Sequence, residues 1–250
     1  MNPPADPPEE TDPYRDPETG VLRNLLGITD PALLEQADAD FSAVRLAQLH
    51  RREVPGDYDL AHLRGFHRTI FGDLYPWAGE LRTVWIAKGD PFCMPQHIAS
   101  SAESIFTRLA AADHLRGLDR AEFVTSLADL LGDLNALHPF RDGNGRTQRA
   151  FCAQLARHAG HQLRWAPMDP AENITASRAS LRGDNTPLRA MLERLVDRPD
   201  PSSTARPTTE NPARPGPMTS AVHRSPVAAP ETAAAIYASG QATAAKSATP

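Results

Sequence analysis

Cysteine is nearly absent. Cys93 and Cys152 are the only two in 250 residues, too few for a disulfide framework and without the spacing of metal ligands. Excess positive charge is also missing: 26 basic side chains face 31 acidic ones, for a formal net charge of −5. A dedicated nucleic-acid binder would need a basic field to neutralise phosphates, so direct nucleic-acid binding is not expected. No apolar run approaches the roughly 18–20 residues of a membrane helix, and no membrane role is expected. The opening MNPPADPPEE has neither a positive n-region nor an apolar h-region, unlike a secretion signal. No Gly-x-x-x-x-Gly-Lys-Ser/Thr run occurs, which excludes a P-loop enzyme. A cytoplasmic, soluble protein is the expectation. Enough apolar residues remain, at 40%, to bury the core of one medium domain.

Proline marks the boundaries of that domain. Six of the 24 prolines fall in residues 1–20 and nine in 199–250. The C-terminal stretch is built from Ala, Pro, Ser and Thr and cannot bury enough surface to offset its chain entropy. Residues 1–20 and 199–250 are therefore expected to be disordered. The folded domain is expected over 21–198, with its core at about 57–197.

The middle reads as helices. Apolar positions recur on one stripe over 40–52. Asp57 or Asp59 can cap a helix carrying Leu60, Leu63, Phe66, His67, Ile70 and Phe71, which Gly72 would stop. A third helix spans about 96–114. Asp119 caps a fourth, which ends where His138 meets Pro139, because the residue before proline leaves helical geometry. A fifth runs from about 145 to 160, and two shorter ones cover 170–182 and 186–197. Residues 80–87 differ, being rich in β-branched and aromatic side chains and followed by Lys88-Gly89-Asp90. They predict a lone β-hairpin over 80–95 that leans on the bundle.

The chemistry concentrates in His138-Pro139-Phe140-Arg141-Asp142-Gly143-Asn144-Gly145-Arg146-Thr147-Gln148-Arg149. A helix starts after the Gly-Asn-Gly turn. Its first amides, with Gly143 and Gly145 allowing close approach, form a donor site for an anion. Arg146 and Arg149 share one face of the first turn and suit a polyphosphate. Asp142 offers a hard oxygen ligand of the kind that holds Mg2+ together with substrate phosphates. His138 can accept a proton near neutral pH. A base, a metal carboxylate, an anion cradle and two guanidinium forks together point to phosphoryl or nucleotidyl transfer.

This string resembles the Fic-domain signature His-x-Phe-x-Asp/Glu-Gly-Asn-Gly-Arg-x-x-Arg at every fixed position. Residues 75–82 and Lys88-Gly89-Asp90 resemble the family's segment leading into its flap, and the opening Asp12-Pro13-Tyr14 through Asp30 resembles the bacterial cell-filamentation branch. The resemblance covers roughly residues 12–197. It implies an all-α Fic-fold bundle with a small hairpin flap over the site, and transfer of AMP from ATP to a Ser, Thr or Tyr hydroxyl of a target protein. It further implies His138 as general base, Asp142 on Mg2+, and Asn144 with the amides of Gly143 and Gly145 as the anion hole. Arg146 and Arg149 would grip the β- and γ-phosphates, Lys88 and Gly89 would approach ATP, and the target would dock on the 80–95 hairpin. In the phage-toxin Doc branch a lysine replaces the second glycine and the target is phosphorylated; Gly145 favours AMP transfer here.

Many members also carry an inhibitory helix, Ser/Thr-x-x-x-Glu-Gly/Asn. Only Glu172-Asn173 and Glu210-Asn211 come near it, with Met168 and Arg206 four positions before the glutamates. Neither fits. The resemblance then implies a toxin-type enzyme restrained by a separate small antitoxin, with DNA gyrase or topoisomerase IV as targets by analogy. Two other readings stand beside it: a non-catalytic nucleotide-binding regulator of cell division, and transfer of UMP or phosphocholine by the same loop. Of the remaining histidines, His67 is expected to be a hydrogen-bonded packing residue, and His158 with His161 lacks a third zinc ligand.

Overall fold

The computed structural model describes residues 12–197. The chain divides into two units, 1–198 and 199–250, and every described residue lies in the first. The expectations for residues 1–11 and for the 199–250 tail lie outside the described residues.

Seven α-helices form this unit: α1 (Pro31–Leu49), α2 (Leu60–Phe71), α3 (Ile98–Ala111), α4 (Arg120–Leu137), α5 (Asn144–His158), α6 (Pro170–Leu181) and α7 (Thr186–Leu195). Side-chain capping sets four of their starts. Asp30, Asp59, Asp119 and Asp169 each accept a first-turn amide, and Asp119 shares a reciprocal capping box with Glu122. Central α4 packs against α3, α5, α6 and α7, while α2 bridges α1 and α5. Leu63, Phe66, Phe123, Leu127, Leu134, Phe151 and Leu155 fill the interior. The result is the all-helical bundle expected from the apolar spacing.

Three expectations need correction. Helix α1 starts at Pro31 rather than near residue 40. Its apolar periodicity is weak because buried Asp38 and half-exposed Arg45 occupy inward positions and make ion pairs, Arg45 with Asp73 at 2.6 Å. Residues 12–20, expected to be disordered, are folded: Tyr14 is buried, Arg15 pairs with Leu22, and Asp12 accepts two hydrogen bonds from Arg141.

The third correction concerns the hairpin. Residues 80–86 form no strand, and pairing is limited to β1 (Ala87–Lys88) against β2 (Asp90–Pro91). Arg82 explains this. Its side chain is only 2% exposed, and its guanidinium donates to the carbonyls of Val84, Cys93, Leu137 and His138. One of those carbonyls, that of Val84, is one that a longer ladder in this register would have used. The segment's backbone also turns to the bundle: the Arg82 amide donates to Pro139 and the Cys93 amide to Ala136, both at 2.9 Å. The segment is thus stitched to the end of α4 and to the loop that follows it.

Candidate active site

The α4–α5 loop is held by contacts of its own residues and by His67 of α2. His138 ends α4 in left-handed geometry (φ 43°), and Phe140 is driven into the core beneath it, 1% exposed. His67 stacks on Phe140 with ring centroids 3.9 Å apart. The amide of Gly79 donates to His67 Nδ1, so Nε2 carries the proton and donates to the Asp142 carbonyl. His67 is the hydrogen-bonded packing residue its position on the apolar stripe suggested. Asn144 closes the loop: its Oδ1 accepts from the Phe140 amide at 2.9 Å, and its Nδ2 donates to the Phe140 carbonyl at 2.7 Å.

Helix α5 then begins without a side-chain cap, after Gly143 at φ 76°. A Cβ on Gly143 would sit 2.4 Å from the Phe71 ring, so both conformation and space require glycine there. The uncapped first-turn amides open into a cavity of about 510 Å³. His138, Asp142, Gly143, Asn144, Gly145, Arg146 and Arg149 line it together with Lys88, all of them residues that the sequence singled out. Gly89 does not line it and instead forms the turn between β1 and β2 at φ 87°. Asn144 contributes its backbone rather than its side chain, which the Phe140 peptide already occupies.

His138 stands at the cavity wall with its ring stacked on Phe92, centroids 3.7 Å apart. Its Nδ1 lies 3.2 Å from the Asn135 carbonyl. A carbonyl only accepts, so Nδ1 carries the proton and Nε2 keeps the lone pair. Burial pushes the imidazole down from 6.5 to about 4; the Asn135 bond opposes this, and the charges of Lys88 and Arg82 reinforce it. Burial also brings His67 to about 4.

Both rings are therefore neutral at pH 7 in the folded chain. An NMR titration is expected to place both midpoints near 4. Unfolded imidazoles take up protons near 6.5. Stability should hold above that pH and fall progressively as the pH drops from 6.5 towards 4. Midpoints at 6.5, or stability flat across that window, would contradict this.

The arginines divide. Arg146 is held by buried Asp38, Nη1 to Oδ1 at 2.5 Å and Nη2 to Oδ2 at 3.1 Å, and by Ser42 Oγ at 2.9 Å. Its guanidinium lies over the Phe71 ring, 4.6 Å from the centroid. Arg141 is paired with Asp12. Arg149 has no carboxylate or hydrogen-bond partner for its guanidinium among the described residues, while its backbone carbonyl accepts from Trp165 Nε1 at 2.9 Å. Burial, and then the neighbouring Arg146 charge, lowers the pKa of Arg149.

Asp142 leaves its carboxylate 43% exposed, 4.0 Å from Arg146 Nη2. No group of three or more His, Cys, Asp or Glu side chains converges as a metal site among the described residues. One available carboxylate beside a phosphate cradle suits Mg2+, which dehydrates reluctantly and takes few protein ligands.

Sequence reasoning gave Asp38, Asp12, Phe92 and Arg82 no role in the site. Asp38 and Asp12 lie 108 and 129 residues from the arginines they hold, so no local spacing reveals them. No described helix is long and apolar enough to cross a membrane.

A neutral imidazole facing an open, amide-lined cavity with one unpaired guanidinium defines a site for phosphoryl-type group transfer on an all-helical scaffold. Residues 57–156 match the Fic/DOC family. Over 188 residues the chain is 39% identical to the "Probable protein adenylyltransferase y4lH" of Sinorhizobium fredii, covering 74% of this chain and 96% of that protein. It is 45% identical to the protein adenylyltransferase VbhT of Bartonella schoenbuchensis over 184 residues, 73% of this chain; the match spans only 38% of that longer relative. Among solved structures, BepC of Bartonella tribocorum with bound AMPPNP superposes with a TM-score of 0.68 at 26% identity, covering 74% of this chain and 96% of that one. The chain belongs to the Fic/DOC family of protein adenylyltransferases.

Proposed function

We propose that this chain transfers AMP from ATP to a Ser, Thr or Tyr hydroxyl of a target protein, and that it does so without an inhibitory helix of its own. The observation that carries the reading is the pairing of a neutral His138, Nε2 lone pair available, with an uncapped α5 N-terminus and a partnerless Arg149 in one cavity. Binding of AMPPNP by BepC supports ATP as the donor. The triphosphate lies on the amides of Gly143–Arg146, with Arg149 on its outer phosphates. Nε2 of His138 takes the hydroxyl proton as the oxygen attacks the α-phosphorus. The bond from that phosphorus to the bridging oxygen breaks, and pyrophosphate leaves with both electrons of that bond. Asp142 would hold Mg2+, which when bound neutralises phosphate charge.

The short β1–β2 ladder rims the cavity through Ala87 and Lys88, and target backbone adds to it as an extra strand. The freedom of Arg149 supports the absence of cis inhibition. Glu172, the one described glutamate near the inhibitory pattern, is engaged by Arg194 of α7. The toxin-type assignment and a separate small antitoxin follow from this reading.

Incubation of the chain with ATP labelled at the α- or the γ-phosphate, in bacterial lysate, tests the reaction class. Label from the α position on protein is expected. Label from the γ position on protein would mean a kinase and would contradict the proposal.

A further inference from the structure

The α4–α5 loop is not alone in holding His138. Phe92 follows β2 directly, and the backbone around it is pinned twice. The Phe92 amide donates to the Ile86 carbonyl at 3.3 Å, one step beyond the β1–β2 ladder, and the Cys93 amide donates to Ala136 at 2.9 Å. The Arg82 guanidinium donates to the carbonyls of both Cys93 and His138. The Phe92 side chain, 6% exposed, is thereby laid flat over the imidazole, with 16° between the ring planes and 3.7 Å between centroids. Both residues line the cavity.

One hydrogen bond does not fix an imidazole. The torsion about its Cβ–Cγ bond is soft and broad, and the Nδ1 contact to the Asn135 carbonyl is 3.2 Å long. Tilting the ring about that bond, or flipping it so that carbon faces Asn135, sweeps its edge through the space that Phe92 fills. We propose that Phe92 is a positioning residue for the transfer reaction. Its ring holds the His138 imidazole in the plane that keeps Nδ1–H on Asn135 and Nε2 towards the cavity, and it ties that plane to the β1–β2 ladder. This rests on the reading of His138 as general base. Phe92 has no group that accepts a proton, so it acts through His138.

Two readouts separate this from packing alone. The first is spectroscopic. A parallel phenyl ring shifts the carbon-bound protons of the imidazole beneath it upfield, and the shift goes when the ring goes. In NMR spectra of the full chain, with His138 assigned by the signals that His138→Ala lacks, the parent is expected upfield of Phe92→Leu. The second is kinetic, read with α-labelled ATP in bacterial lysate. Phe92→Leu keeps apolar bulk but not the flat face. It should lower the rate of protein labelling at saturating ATP by about 5–30-fold, with the KM for ATP within about twofold of the parent. Phe92→Tyr restores the flat face and should bring the rate back to within about threefold of the parent.

Parental His138 signals that match those of Phe92→Leu would overturn the proposal whatever the activity. So would a folded Phe92→Leu chain that labels protein at the parental rate, or one whose only defect is a raised KM for ATP. If Phe92→Leu does not fold, nuclear Overhauser contacts between the two rings in the parent and in Phe92→Tyr decide. Their absence from the parent overturns the proposal, as does a Phe92→Tyr chain that keeps them and loses the rate. His138→Ala keeps the two readings apart. If it labels protein at the parental rate, the general base falls; if it does not and Phe92→Leu does, only the role of Phe92 falls.

Discussion

His138→Ala should lower the rate of protein modification by about 10²–10⁴-fold, the usual scale for losing a positioned general base. ATP affinity should change little. The imidazole faces the cavity but supplies none of the cradle amides, and its anchoring bond runs to Asn135. The two effects separate cleanly only if the loop keeps its shape. The structure predicts that it will, because Phe140, Asn144 and His67 hold the loop without the His138 ring. Single-turnover rates beside calorimetric ATP binding provide the check. Near-full activity in the variant would remove His138 from the chemistry.

Arg149→Ala should weaken ATP far more than AMP. The half-buried guanidinium, without a hydrogen-bond or carboxylate partner among the described residues, lines the same cavity as the first-turn amides of α5, and charge-assisted bonds of this kind contribute about 1.5–3 kcal/mol each. A loss of roughly 10–100-fold in ATP affinity is expected, with AMP nearly unaffected because it lacks the outer phosphates. Comparing the two dissociation constants in variant and parent decides the matter. Equal losses for both nucleotides would place Arg149 elsewhere than on the outer phosphates.

What was legible in the sequence was local. Asp59 and Asp119 announce their helices, His138-Pro139 ends one, and Gly143 to Arg149 lie within two turns of each other, so spacing alone assembled the cradle. The balance of charge inside the site was not legible. Arg146 and Arg149 read as two equivalent clamps and Arg141 as a solvated side chain, yet Asp38 pairs with Arg146, Asp12 pairs with Arg141, and the Arg149 guanidinium has no such partner among the described residues. Those partners arrive through the tertiary fold from α1 and from a proline-rich segment whose composition argued for disorder. Tyr14 folds that segment down, its hydroxyl accepting from the Thr83 amide at 3.1 Å.

The predicted hairpin failed for a related reason. Thr83-Val84-Trp85-Ile86 has the composition of a strand, but composition does not report that Arg82 will claim the Val84 and Cys93 carbonyls and tie the segment to His138. The same contact links Arg82 to the cavity, since it couples the segment leading into β1 to the backbone of His138. Burial lowers the pKa of this guanidinium, and four carbonyl acceptors offset the cost of enclosing it.

The most direct test of the central claim is a crystal structure of the chain with a non-hydrolysable ATP analogue. The account predicts the phosphates on the first-turn amides of α5, the outermost one gripped by Arg149, and His138 Nε2 facing the α-phosphate across the space left for a hydroxyl. A triphosphate seated away from α5, or a His138 ring that turns Nε2 away from the α-phosphate, would contradict it.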